Sequence, residues 1–239
     1  VGDHQRAVST PQLPLSLRTP PDQQFDAFHG QPAVRDAVRA GARGEAGDWL
    51  FLAGPAGSGK THLLLAACAE ATAAGRRAAY LPLAAFAGRL GDALAAQEGS
   101  ALLCLDGLDA IAGSREDEEA LFHFHNRARA SGAVVIYAAR GNPATLGLQL
   151  PDLVTRLGQC VRFALEPLDD AGRREVLRQR GARRGLELDD SVLDYLLRRV
   201  DRDLGSLTRL LERIDRASLA AQRRITIPFL RTLLQDGAA

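Results

Sequence analysis

The sequence predicts an α/β fold, a parallel sheet with helices on both faces, followed by a small all-helical unit. Three observations lead there. Short runs that are apolar throughout, rather than alternating, recur along residues 48–165, as strands buried on both faces require. Helix-length stretches separate them, which is the pattern of parallel strands joined by crossovers. After Glu166 the apolar runs stop, and leucines recur at three- and four-residue spacing, as in Leu193, Leu196, Leu197 and Leu204, Leu207, Leu210, Leu211.

Residues 1–24 hold four prolines and no helical period, so they read as an extended tail, within which "QLPLSL" (Gln12–Leu17) is an isolated apolar hexapeptide. A helix over about 31–42 leads to the strand "DWLFLAG" and a glycine loop. The helix "KTHLLLAACAEATAAG" follows and stops at Gly75, a C-terminal capping glycine. Next come the strand "RAAYLPL", a helix over about 84–97, the strand "ALLCLD", a helix over 116–130, and the strand "AVVIYAA". The helical segment "PDLVTRLG" precedes a last strand, "CVRFAL". Helices over 168–182, 189–200, 203–222 and 227–235 complete the chain. The organisation expected is a tail (1–24), an α/β domain (25–165) and a helical domain (166–239).

Composition narrows the function. At 239 residues, 46% hydrophobic and 25% charged, the chain has the make-up of a folded globular protein. No apolar run approaches the ~20 residues needed to cross a bilayer and no signal-peptide core is evident, so the expectation is a cytoplasmic protein without a membrane role. Cys68, Cys104 and Cys160 lie far apart in apolar stretches, as reduced core residues rather than disulfides or a metal site. The net charge is +1, and from Glu166 onward 15 Arg face 13 acidic residues, a balance that argues against a DNA-binding surface. Of 30 basic residues, Lys60 alone is lysine. In a chain that otherwise uses arginine throughout, Lys60 marks a place where a planar guanidinium cannot replace a compact ammonium.

That lysine lies in "GPAGSGKT", residues Gly54, Pro55, Ala56, Gly57, Ser58, Gly59, Lys60 and Thr61, which fits G-x-x-x-x-G-K-[ST] between a strand and a helix. Such a loop turns backbone N–H groups onto a phosphate at a helix N-terminus. Lys60 would reach the β-phosphate of ADP or the β- and γ-phosphates of ATP, Thr61 would bind Mg²⁺, and His62 follows in the same helical turn. Asp106, closing the strand "LLCLD", is the expected second Mg²⁺ residue.

Taken together, the phosphate loop, "GKTHL", "LLCLDGLDAIAG", "LPDLVTRLG" and "IDRASLAAQRRITIPF" resemble the AAA+ ATPases of the bacterial initiator DnaA group, and within it the DnaA-related regulatory inactivators. The resemblance runs from Gln12 to about Leu234 and implies an AAA+ domain with a helical lid. It also separates inactivator from initiator. The sequence up to Ala239 has no further helix-turn-helix domain, and only about twenty residues separate "YLPL" from "LLCLD", without the initiators' inserted helix for single-stranded DNA. The resemblance therefore implies no sequence-specific DNA binding. It implies that Gln12, Leu13, Leu15 and Leu17 dock on the DNA polymerase sliding clamp (its β subunit), with an extended segment placing leucines in an apolar groove. It places Arg156 of "LVTRLG" at the arginine finger, the guanidinium that enters a neighbour's nucleotide site, here that of DnaA.

The chain departs from the family in its hydrolytic equipment. Gly107 follows Asp106 where a carboxylate is usual, leaving Asp109 as the nearest acid. Ala138 and Ala139 replace the polar sensor, with Arg140 and Asn142 beyond, and Gly205 stands at the sensor arginine, flanked by Arg202 and Arg209. The expectation is a protein that binds nucleotide, turns it over poorly and negatively regulates replication initiation by activating hydrolysis in DnaA. A self-sufficient AAA+ motor or helicase loader, and a clamp-bound adaptor with a vestigial nucleotide site, are the rival readings. The preferred nucleotide, the role of residues 1–10 and self-association, for instance as a homodimer, stay open.

Overall fold

The computed structural model describes residues 23–199, 204–221 and 225–235. Gln12, Leu13, Leu15 and Leu17, and also Arg202, lie outside the described residues. Five strands, β1 (Leu50–Ala53), β2 (Ala78–Pro82), β3 (Leu102–Asp106), β4 (Val134–Ala139) and β5 (Val161–Ala164), form a parallel sheet in the order β2-β3-β4-β1-β5. β1 thus lies between β4 and β5, in register Leu50↔Ile136 and Leu50↔Val161.

Alternate residues of these apolar strands feed two cores. Leu50, Leu52, Leu102, Cys104 and Ile136 face α1 (Pro32–Arg43) and α2 (Lys60–Ala73), where Val38, Leu63, Leu64 and Ala67 are fully buried. Phe51, Leu103, Leu105, Val135 and Tyr137 face α3 (Leu90–Ala95), α4 (Arg115–Ala130) and α5 (Pro151–Gly158), which contribute Leu90, Leu121, Phe124, Leu153 and Leu157. Burying each such side chain stabilises by roughly 1.5–3 kcal/mol. Cys68, Cys104 and Cys160 are buried free thiols.

The helix expected over 84–97 is shorter. Leu83–Ala85 form a 3-10 turn, and α3 begins at Leu90 after Gly88, whose φ of +79° ends any right-handed run. β5 also differs from the buried strand expected: as a sheet edge it leaves Val161 42% exposed.

The helical unit comprises α6 (Asp170–Arg183), α7 (Asp190–Arg199), α8 (Leu204–Ala221) and α9 (Ile227–Gln235). Leu177, Val192, Leu193, Leu196, Leu211, Ile214 and Leu230 form its core. Asp169 caps α6 by accepting from Gly172 N–H at 2.7 Å. Toward the sheet, Gly30 packs on Leu168, and the His29 ring donates to Gln179 Oε1 of α6 at 2.7 Å. No helix among the described residues is long and apolar enough to cross a membrane.

Candidate nucleotide site and the exposed arginine

The glycine loop turns between β1 and α2 at the C-terminal edge of the sheet. Glycine is obligatory here for two separate reasons. At Gly54, a Cβ would stand 2.3 Å from Leu165 O, while at Gly59 the backbone sits at φ +92° and a Cβ would meet the Phe28 ring at 2.7 Å. Gly59 is the residue before α2, so the loop delivers the helix N-terminus, with its unpaired N–H groups and positive dipole end, directly into the site.

Lys60 is buried and turned back into its own loop. Its Nζ donates to Gly54 O at 2.5 Å, to Pro55 O at 2.8 Å and to Ser58 Oγ at 3.4 Å. Burial lowers its pKa, opposed by the charges of Asp106 and Asp109 and assisted by Arg140. Thr61 Oγ1 donates to Asp106 Oδ2 at 2.6 Å, bringing together the first turn of α2 and the end of β3. His62 donates from Nε2 to Gln24 O at 2.8 Å, and its ring lies 5.6 Å from that of Phe28. Pro55 and Ala56 form the loop's outer bend, where Pro55 O also accepts from Ser58 N–H.

Sequence reasoning did not single out Tyr80. Its hydroxyl donates to Asp106 Oδ2 at 2.9 Å, the oxygen that Thr61 also contacts. Burial, the Asp106 charge and this hydrogen bond together push the phenol pKa well up, so it is a permanent donor. A tyrosine in a strand reads as packing, and nothing in "RAAYLPL" marks the tip of the ring.

The neighbouring positions carry few groups for hydrolysis. Gly107 has φ +81°, and its N–H is held by Ala138 O at 2.9 Å. Asp109 Oδ1 accepts from Arg140 N–H at 2.6 Å. Ala138 and Ala139 are fully buried, whereas Arg140 and Asn142 are exposed beyond the strand. Gly205 and Arg209 fall on α8. Among the described residues, no group of three His, Cys, Asp or Glu gathers as a metal site.

Arg156 is placed elsewhere, in the last turn of α5, anchored by the buried Leu153 and Leu157. Its side chain is exposed and forms no hydrogen bond or ion pair with any described residue. Soon after α5, Val161 N–H donates to Trp49 O at 2.8 Å, so this turn lies toward the N-terminal edge of β1 and β5. His125 sits beneath, with Nδ1 3.0 Å from Tyr137 OH and its ring against Trp49. Desolvation first, then the Arg129 and Arg156 charges, lower its pKa to about 4. Two buried carboxylates missed from sequence fix the backbone at helix starts, Glu118 before α5 and Asp117 before α3. Glu118 accepts from Gly113 N–H and from the Gln149 and Leu150 N–H groups at 2.7–2.8 Å, and Asp117 accepts from Gly88 and Leu90.

A phosphate loop on a parallel sheet of this order, followed by a helical lid, defines the AAA+ fold. The helical part is assigned more narrowly, because residues 170–234 match the family described as "Hda, lid domain". Among solved structures, the chain is similar to domain III of the Thermotoga maritima replication initiation protein DnaA (24% identity, 91% of this chain and 97% of that one, TM-score 0.72). It is also similar to a replication initiator DnaA bound to AMPPCP and single-stranded DNA (24% identity, 82% and 65% coverage, TM-score 0.68), so it spans less than two thirds of that chain. The Thermotoga maritima RuvB Holliday junction branch migration motor shares the fold at 19% identity, 89% and 71% coverage and TM-score 0.64.

Proposed function

We propose that the protein is a nucleotide-binding, DnaA-related regulator of replication initiation that lends Arg156 to a triphosphate held by DnaA. The observation that carries this reading is the separation of two cations. Lys60 is enclosed by a phosphate loop at one edge of the sheet, and Arg156 stands without a partner among the described residues toward the other. β1 alone is four residues long, about 13 Å at ~3.3 Å per residue, so the Arg156 side chain does not complete its own chain's site. A guanidinium in that position serves a neighbour, bridging oxygens of the transferring phosphoryl group.

The loop itself holds ADP or ATP. In exchanging Gly54 O and Pro55 O for phosphate oxygens, Lys60 trades two neutral acceptors for charged ones, while the first N–H groups of α2 meet the same phosphates. Thr61 and Asp106 present a hydroxyl and a carboxylate 2.6 Å apart, a hard-oxygen donor set that fits Mg²⁺. Bound there with the nucleotide, the ion would neutralise phosphate charge. No acid at residue 107 orients water, which accords with weak turnover of the protein's own nucleotide.

The tail segment Gln12–Leu17 is the part we assign to the sliding clamp, which would hold this cytoplasmic protein where DnaA is to be inactivated. The test is hydrolysis of ATP bound to DnaA, with and without DNA-loaded clamp, using the full chain, Arg156→Ala, and a variant with Gln12, Leu15 and Leu17 replaced by Ala. Arg156→Ala is expected to lose a stimulation of ~10³–10⁵ while still binding clamp. The tail variant is expected to lose only the clamp-dependent part. Full stimulation by Arg156→Ala, or brisk turnover by the protein alone, overturns the reading.

A further inference from the structure

Asp106 has two hydrogen-bond donors on a single oxygen. Thr61 and Tyr80 both reach Oδ2, from opposite sides of the chain's topology: one from the helix after the phosphate loop, the other from the edge strand β2. Their chemical obligations differ. In the Mg²⁺-nucleotide reading on which this inference rests, the Thr61 hydroxyl would turn a lone pair to the ion and keep its one proton for Asp106, so its position is shared between the two. Tyr80 has no such second task.

The strand register explains how the phenol arrives. Tyr80 pairs with Cys104 and Pro82 pairs with Asp106, so Tyr80 lies two residues short of Asp106 on the neighbouring strand, within diagonal reach of a long side chain. Its ring packs against the core that includes Cys104 and Cys68, and its hydroxyl extends to the strand end. The apolar body is fixed by packing, and the polar tip is aimed by that packing.

We propose that Tyr80 is a positioning residue for Asp106, a second donor that holds Oδ2 so that the carboxylate stays turned to the ion and its water shell. Outer-shell donors of this kind set the orientation of a metal-facing carboxylate, and removing one commonly costs 10–100-fold in metal affinity. The hydroxyl, not the ring, carries the role, so Tyr80→Phe removes it while leaving the packing in place.

The experiment titrates a fluorescent ADP into the full chain in excess Mg²⁺ and again in EDTA, and takes the ratio of the two affinities. Wild type, Tyr80→Phe, Asp106→Asn and the double variant are compared. The ratio is expected to fall about tenfold in Tyr80→Phe. Adding Tyr80→Phe to Asp106→Asn is expected to change it no further, because both act through one carboxylate. An unchanged ratio in Tyr80→Phe overturns the inference, as does a loss shared equally by both conditions, which would be a general packing effect, or an additive loss in the double variant. Failure of the underlying reading is seen separately in the wild type, where absence of ADP binding or of any Mg²⁺ effect removes both.

Discussion

At the C-terminal edge of the sheet every charged or hydroxyl group of the phosphate loop is engaged: Lys60 with three acceptors, Thr61 and Tyr80 with Asp106. Toward the N-terminal edge, Arg156 is exposed and has no such partner among the described residues, while the backbone leading to it is fixed by Glu118. On the proposed reading, the difference is between a cation stored and a cation offered. A buried ammonium needs acceptors because an unpaired buried charge is costly, and phosphate can take their place. An exposed guanidinium carries no such cost, and its place at a helix end leaves it open to the neighbour we propose it serves.

The largest test of that contrast is Arg156→Ala, whose loss of DnaA stimulation is expected at ~10³–10⁵ with nucleotide affinity of the variant itself unchanged. Lys60→Ala should do the converse. Removing a charge-assisted donor worth ~1.5–3 kcal/mol weakens ADP binding by ~10–100-fold, measured by titration of fluorescent ADP. If Lys60→Ala binds ADP as tightly as wild type, the stored cation is structural and the adaptor reading gains.

The two edges were not equally legible in the sequence. The phosphate loop was, since its glycines, lysine and threonine are specified by local backbone geometry within eight residues. Arg156 could be singled out only through resemblance, and the role proposed for it rests on what it does not touch. Glu118 and Asp117 were hidden in "REDEEA", which reads as a solvated helix start. Both are buried there because N–H groups of loops about 30 residues away, at Gly88, Leu90, Gln149 and Leu150, need acceptors. Gly88 was misread for the opposite reason, since helical periodicity carried the expected helix through a residue whose positive φ stops it. Tyr80 escaped because its partner is diagonal across two strands.

A smaller effect separates the edges by pH. His125 has a folded pKa lowered to about 4, against an ordinary value of 6.5, and faces Tyr137, Trp49, Arg129 and Arg156. The unfolded chain takes up a proton below pH 6.5 where the folded chain does not. The stability this group allows is therefore complete above 6.5 and declines as pH falls toward 4, by about 1.4 kcal/mol per pH unit. Urea unfolding at pH 6.5 and 5 is expected to show a loss of about 2 kcal/mol in the wild type that His125→Gln largely removes. Equal losses in both would place the acid sensitivity on other groups.

The smallest effect bears on whether the weak hydrolysis we propose would come from one missing side chain or from a different backbone. Gly107 has open space around its Cβ position but lies at φ +81°, so a side chain there is strained by conformation rather than by collision. Gly107→Ala and Gly107→Glu should each lose roughly 1–2 kcal/mol of unfolding free energy. Gly107→Glu should still not raise ATP turnover, because the acid would leave from a left-handed residue whose N–H is tied to Ala138. A tenfold gain in turnover would mean that the strand end relaxes to the geometry water activation needs, and that the stored-cation edge is one substitution from a working hydrolase. No gain would mean that the backbone after Asp106, more than the absent carboxylate, separates the two edges' roles.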